Sequence, residues 1–157
     1  MNKTMYFNSK YARRWPAAGE IEAAFLAPKG KEWFNSTGND TGGFSLEGVD
    51  GTEHLQWGDG RVDIKLDLWG RPGLGVMIIY SKTGGPGGYA YTSKGDQTRM
   101  KEYVRSLHDT PLPVGLFIPF PEAWKAVKEF IESDGQLPKS IAWIKNTDLA
   151  PDTFPDP

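Results

Sequence analysis

Val62, Ile64, Leu66 and Leu68 alternate with Arg61, Asp63, Lys65 and Asp67, and this alternation constrains the fold more than any other stretch. Successive side chains of an extended strand point to opposite faces, so strict alternation predicts a strand with one face in a core and one in water. Trp69-Gly70-Arg71-Pro72-Gly73 then reads as a turn, with Pro72 fixing φ and glycine free to take positive φ. Leu74 to Tyr80 is almost continuously apolar, which predicts a central strand covered on both faces. The two strands read as an antiparallel hairpin in the middle of a sheet. The polar face of the first strand is where a binding surface is to be sought.

The flanking segments supply the rest of the architecture. Met1 to Trp15 mixes aromatic and basic residues and reads as an edge strand or docked tail, with a basic-aromatic nucleic-acid arm as the sharper alternative. Gly19 to Ala27 predicts a short helix with Ile21, Phe25 and Leu26 inward, ended by Pro28 and Gly30. Asn35 to Gly43 is a polar, glycine-rich loop holding the sequon Asn35-Ser36-Thr37. Phe44–Val49 and His54–Trp57 read as short strands, with Asp59-Gly60 as a hairpin signal before the central strand.

Beyond Tyr80, Gly84 to Gly88 lacks the Lys-Ser/Thr pair and following helix of a phosphate loop, and reads as a hairpin connection to the strand Tyr89–Ser93. Gln97 to His108 has Met100, Tyr103, Val104 and Leu107 at helical spacing and is read as a helix. Val114–Ile118 is a short buried strand. Glu122–Asp134 is the best helix, with Ala123, Trp124, Val127, Phe130 and Ile131 on one face and Gly135 as its stop. Ser140–Ile144 is a last strand. The element order predicts an α+β domain, a mainly antiparallel sheet with two or three helices packed on it. Residues 1–150 are expected to form this single domain and 151–157 a Pro-rich tail.

With 18 basic and 20 acidic residues, the chain lacks the basic excess of a dedicated nucleic-acid binder. Charge is uneven, however: Asp40, Glu47, Asp50, Glu53, Asp59, Asp63 and Asp67 stand between Asn39 and Asp67 against Arg61 and Lys65 alone. There is no cysteine, which removes disulfides, thiolate nucleophiles and Cys-based zinc sites. No apolar run approaches the roughly 18 residues of a membrane span, and the N-terminal stretch has no signal-like apolar core, so a cytoplasmic location is expected. His54 and His108 stand outside any nucleophile or metal motif, and His54 beside Glu53 reads as a solvated pair before it reads as a dyad. The expectation is therefore no catalytic residue, no metal and no cofactor. Six tryptophans and an acidic face suit a protein-binding module better, because interface cores favour aromatics and charge complementarity governs encounter.

From Asp63 to Trp143 the chain resembles immunity protein family 1 of bacterial polymorphic and contact-dependent toxin systems. The residues that carry the likeness are Val76-Met77-Ile78-Ile79-Tyr80, then Tyr91-Thr92-Ser93-Lys94-Gly95-Asp96, Pro119, the helix with Ala126, Phe130 and Ile131, and Leu137-Pro138-Lys139-Ser140-Ile141-Ala142-Trp143. The resemblance implies an antitoxin that binds and neutralises the C-terminal domain of a cognate toxin inside the producing cell, with no direct contact to nucleic acid or membrane. Toxins paired with the family include ones acting on nucleic acid, such as cytosine deaminases, and their basic grooves would match an acidic face. The family passes on no catalytic residues. The expected partner contacts, taken from charge and pattern, are Glu53, Trp57, Asp59, Asp63 and Asp67. The rival reading is a small-molecule-binding or enzymatic α+β domain with Gly84–Gly88 as a lid.

Overall fold

The computed structural model describes residues 1–33, 40–85 and 87–156. Among them the chain forms β1 (Asn2–Phe7), β2 (Lys10–Ala12), α1 (Ala18–Phe25), β3 (Thr41–Val49), β4 (Val62–Arg71), β5 (Gly75–Thr83), β6 (Tyr89–Ser93), β7 (Tyr103–Arg105), β8 (Pro111–Pro113), β9 (Phe117–Ile118), α2 (Phe120–Glu132) and β10 (Trp143–Lys145). One antiparallel sheet runs in the order β10-β6-β5-β4-β3-β1-β2, with β9 added beside β5; β7 and β8 form a separate two-stranded hairpin. This is the expected α+β architecture.

The alternating strand is β4, at the centre. Val62, Ile64, Leu66 and Leu68 are buried in the main core with Val76, Ile78 and Tyr80 of β5. The other face of β5 meets a second cluster of Met77, Leu112, Leu116 and Phe117. That double cover is why the β5 run is apolar without alternation. The hairpin turn lies at Arg71-Pro72-Gly73-Leu74, where Leu74 N–H donates to the Arg71 carbonyl at 2.9 Å and Gly73 has φ 80°. Proline second and a positive-φ glycine third is the type II arrangement. Trp69 and Gly70, expected in the turn, are still strand. Gly70 is a notch for Trp33: a Cβ there would come within 2.3 Å of the indole ring.

Both helices cover the face that carries Leu66. Pro119 and Pro121 start α2 without needing the N–H groups that its first turn leaves unpaired. Phe120, Ala123, Trp124, Ala126, Val127 and Phe130 are its buried stripe. The helix ends as expected, with Gly135 at φ 91° and its N–H donating to the Phe130 carbonyl at 2.9 Å. Aromatic rings fill the layer between helix and sheet: Phe25 packs on Phe7, Trp33 and Trp124, and Phe130 packs on Trp15, Phe44 and Tyr80.

The N-terminal segment is sheet, with Phe7 and Trp15 buried and Lys3 paired to Asp134 at 2.6 Å. The segment is thus the edge of the sheet, as the first of the two readings had it, with Phe7 and Trp15 in the core and Tyr11 left exposed. His54–Trp57 is not a strand. Asp50, Gly51, Gly58 and Gly60 all take positive φ, and residues 50–60 form a chain of turns. Thr52 closes this loop, its hydroxyl donating to the Val49 carbonyl at 2.6 Å and accepting from Val62 N–H at 2.9 Å.

Gln97–His108 is not a helix either. A short 3-10 turn at Gln97–Arg99, capped by Asp96, leads into β7. Met100 and Val104 both pack on the second cluster, which reproduces helical spacing without helical backbone. Val114–Leu116 is a buried 3-10 turn ahead of the two-residue β9, where a single strand was expected. Of the glycine-rich loop expected from Asn35, residues 34–39 with the sequon lie outside the described residues, while Thr41–Gly43 already belong to β3.

Candidate functional site

The outer face of the sheet, opposite the helices, is only partly covered. Pairing register aligns Tyr11, Tyr6, Gly43, Asp67, Ile79, Thr92 and Ile144 in one row across it. Thr4, Ser45, Lys65 and Ser81 form the next row, and Asn2, Glu47, Asp63 and Thr83 the one after. Trp69, Ile79 and Ile144 lie under the second cluster, so the bare part is the β1–β3–β4 side. The loop between β3 and β4 closes the end of the sheet beyond Asp63.

Asp63 does not stand in water as the alternation predicted. It is 3% exposed. β3 shifts register between Glu47 and Val49, and the N–H of Gly48 donates to Asp63 Oδ1 at 3.0 Å. Arg61 folds over the same carboxylate, with Nε donating to Oδ1 at 2.9 Å and Nη2 to Oδ2 at 3.0 Å. Its Nη1 lies 3.6 Å from Glu47 Oε2. The hydrogen bond to Asp63, with the charges of Asp63 and Glu47 behind it, raises the Arg61 pKa against desolvation, which lowers it. A charged residue on a sheet's outer face is ordinarily solvated, but here a bulge supplies a donor that needs an acceptor.

Glu53, Trp57 and Asp59 lie together on the β3–β4 loop, all exposed. Trp57 is 74% exposed, the largest exposure among the bulky apolar side chains described. The backbone beneath it is fixed: Leu55 N–H donates to Thr52 at 2.9 Å and Asp59 N–H to Gln56 at 3.0 Å. Glu53 lies 2.6 Å from the Met1 amino group, and Asp50 lies 2.8 Å from Lys82. The loop thus presents one exposed indole on a hydrogen-bonded backbone that also carries exposed carboxylates.

Asp67 sits further along β4, half-buried on the outer face. Burial pushes its pKa up, against the pull of Lys65 in the other direction. A depression of about 180 Å³ beside it is lined by Tyr6, Tyr11, Gly43, Ser45 and Lys65. Alternation pointed to Asp67, but its aromatic neighbours come from strands that only the register brings alongside.

Two larger clefts lie elsewhere, of about 430 Å³ between Leu26–Lys29 and Phe120, and of about 500 Å³ between Lys94–Asp96 and Ser140–Ala142. The described residues of the Gly84–Gly88 connection line neither. The second cleft follows the seam where the most distinctive stretches of the sequence meet. Ser93 Oγ donates to the Leu116 carbonyl at 2.7 Å and accepts from Ile78 N–H at 2.9 Å. Lys94 N–H donates to Ala142 at 3.1 Å, and Trp143 Nε1–H to Pro138 at 2.7 Å. A Cβ at Gly95 would fall 2.2 Å from the Phe117 carbonyl oxygen. These contacts hold strands together. Among the described residues no three His, Cys, Asp or Glu side chains are grouped to hold a metal ion.

Fold and surface together define a class: an α+β domain whose helices pack on one sheet face, while the β1–β3–β4 part of the other face and a tryptophan-bearing loop stay open. A family model described as immunity protein Imm1 matches residues 27–145, and the chain belongs to that family. Membership suggests an immunity protein with a non-enzymatic role and implies a toxin as partner. A search of curated proteins gives no match. No described helix is long and apolar enough to cross a membrane.

Proposed function

We propose that this protein binds the C-terminal domain of a cognate toxin in the cytoplasm of the producing cell and neutralises it by occupying a basic groove, as a nuclease or deaminase would present. The observation that carries this reading is Trp57, 74% exposed on a hydrogen-bonded loop that also carries Glu53 and Asp59, both exposed. Exposed tryptophan on a fixed backbone loses little entropy on docking and is a frequent interface anchor, while flanking carboxylates steer a basic partner. Glu53, Trp57, Asp59 and Asp67 are the proposed contacts. Asp63 has a different part in this reading: gripped by Arg61 and Gly48, it holds the strand end from which the loop projects. No turnover and no cofactor are proposed.

The experiment uses the toxin domain encoded by the gene immediately upstream. The two proteins are expected to co-purify, and Trp57→Ala to weaken binding about thirtyfold or more, as loss of a 2 kcal/mol anchor does. Glu53→Lys with Asp59→Lys should mainly slow association, most strongly at low salt. An upstream gene encoding no toxin, or full-strength binding by folded Trp57→Ala, overturns the assignment.

A further inference from the structure

The depression beside Asp67 has a composition that names its occupant. Its floor is the bare backbone of Gly43, where a Cβ would sit 3.4 Å from both Asp67 Oδ1 and the Leu66 carbonyl oxygen. Tyr6 faces Gly43 on one side and Asp67 faces it on the other, so ring, gap and carboxylate share one row. Tyr11 pairs with Tyr6 and is 66% exposed. Lys65, at the rim, is exposed and can swing outward, whereas Asp67 is held half-buried.

We infer that this depression receives one arginine side chain of the toxin, its guanidinium ion-paired to Asp67 and laid against the rings of Tyr6 and Tyr11. The inference rests on the toxin-binding reading and adds the group that is recognised. A guanidinium is planar, stacks on aromatic rings, offers a fork to a carboxylate and is weakly hydrated; an ammonium shares only the charge. An anion would meet Asp67, and a purely apolar group would bury that carboxylate without a partner. Burial already disfavours the ionised form of Asp67 in the free protein, and an incoming cation relieves that cost. The sheet therefore carries a half-buried carboxylate, offset in part by Lys65, where a basic partner would dock.

Two measurements test it. The first titrates the isotope-labelled protein with N-acetyl-arginine amide at millimolar concentrations, with the neutral citrulline analogue as control. Arginine-specific shifts at the amides of Tyr6, Tyr11, Gly43 and Asp67, lost in Asp67→Asn and in Gly43→Val, are expected. The same shifts with citrulline, or none at those amides, overturn the proposal. The second measures the toxin domain against both variants, each checked for native folding. Affinity about tenfold lower in each is expected, the worth of one desolvated cation–carboxylate contact; unchanged affinity removes arginine recognition at this site. Failure of the parent protein to bind the toxin at all would sink the proposed function, while the arginine titration would still decide the depression.

Discussion

Arg61, just ahead of β4, and Asp63, two residues on within it, form a two-pronged ion pair, with Nε and Nη2 at 2.9 and 3.0 Å from the two carboxylate oxygens. The pair sits on a β-bulge, and the second acceptor position of Asp63 Oδ1 takes the Gly48 N–H that the bulge frees from the sheet ladder. The same arginine reaches toward Glu47. Three charges that looked like part of a solvated strip are thereby tied into the sheet, and the loop carrying Trp57 departs from a fixed point.

Asp63→Ala should destabilise the fold by about 2–4 kcal/mol, because it strips a buried N–H and a guanidinium of their acceptor. Chemical denaturation of the variant checks this. If a double-mutant cycle with Arg61→Met shows the losses simply adding, the pair is not coupled as described.

Phe130→Ala and Leu66→Ala remove side chains that are wholly buried between α2 and the sheet. Each should cost about 2–5 kcal/mol, the phenylalanine toward the upper end. Denaturant midpoints shifted by less than a surface substitution would show a core able to collapse around the gap.

Tyr80 is buried, with its hydroxyl donating to the Gly135 carbonyl at 2.9 Å, and desolvation pushes its pKa up to about 12. An unfolded tyrosine ionises near pH 10, so the contribution is whole below about pH 10 and is lost as pH rises through about 12. Ultraviolet titration should show a late-ionising phenol that is lost in Tyr80→Phe. Tyr80→Phe should flatten alkaline unfolding.

Asp67 also has its pKa raised by burial, and the sign is the same: its favourable contribution is present below the unfolded carboxylate range and is lost as pH rises through the folded value. Asp67→Asn is therefore expected to melt higher than the parent at neutral pH. The two curves should converge as pH falls through the carboxylate range. A variant less stable at neutral pH would mean that Asp67 supports the fold. Higher stability with weaker toxin binding is the trade expected of a residue kept for a partner.

Strand alternation from Val62 to Leu68, the apolar run of β5 and the amphipathic stripe of α2 were legible in the chain because each is a local period imposed by one buried face. The matched family stretches were legible too, and the structure shows why: Ser93, Gly95 and Trp143 are seams between strands. Local pattern failed where spacing came from separate contacts, as with Met100 and Val104, which share a cluster without sharing a helix. It failed again at His54–Trp57, where positive-φ residues on either side break a strand-like composition into turns.

The sequence by itself determined which residues of β4 face the core, since a period of two leaves no other choice for Leu66. It singled out Glu53, Trp57 and Asp59 by charge and aromaticity but put Trp57 at the end of a strand, and the turns that make the segment a loop came from the structure. Only the tertiary structure decided what the outward residues of β4 do. A bulge one strand away turned Asp63 into an acceptor for Gly48, and antiparallel register carried Tyr6 and Gly43, some sixty and twenty-four positions distant in sequence, to the side of Asp67. Alternation fixes the side of a sheet on which a residue lies. Its neighbours there come from other strands, and pairing register sets them.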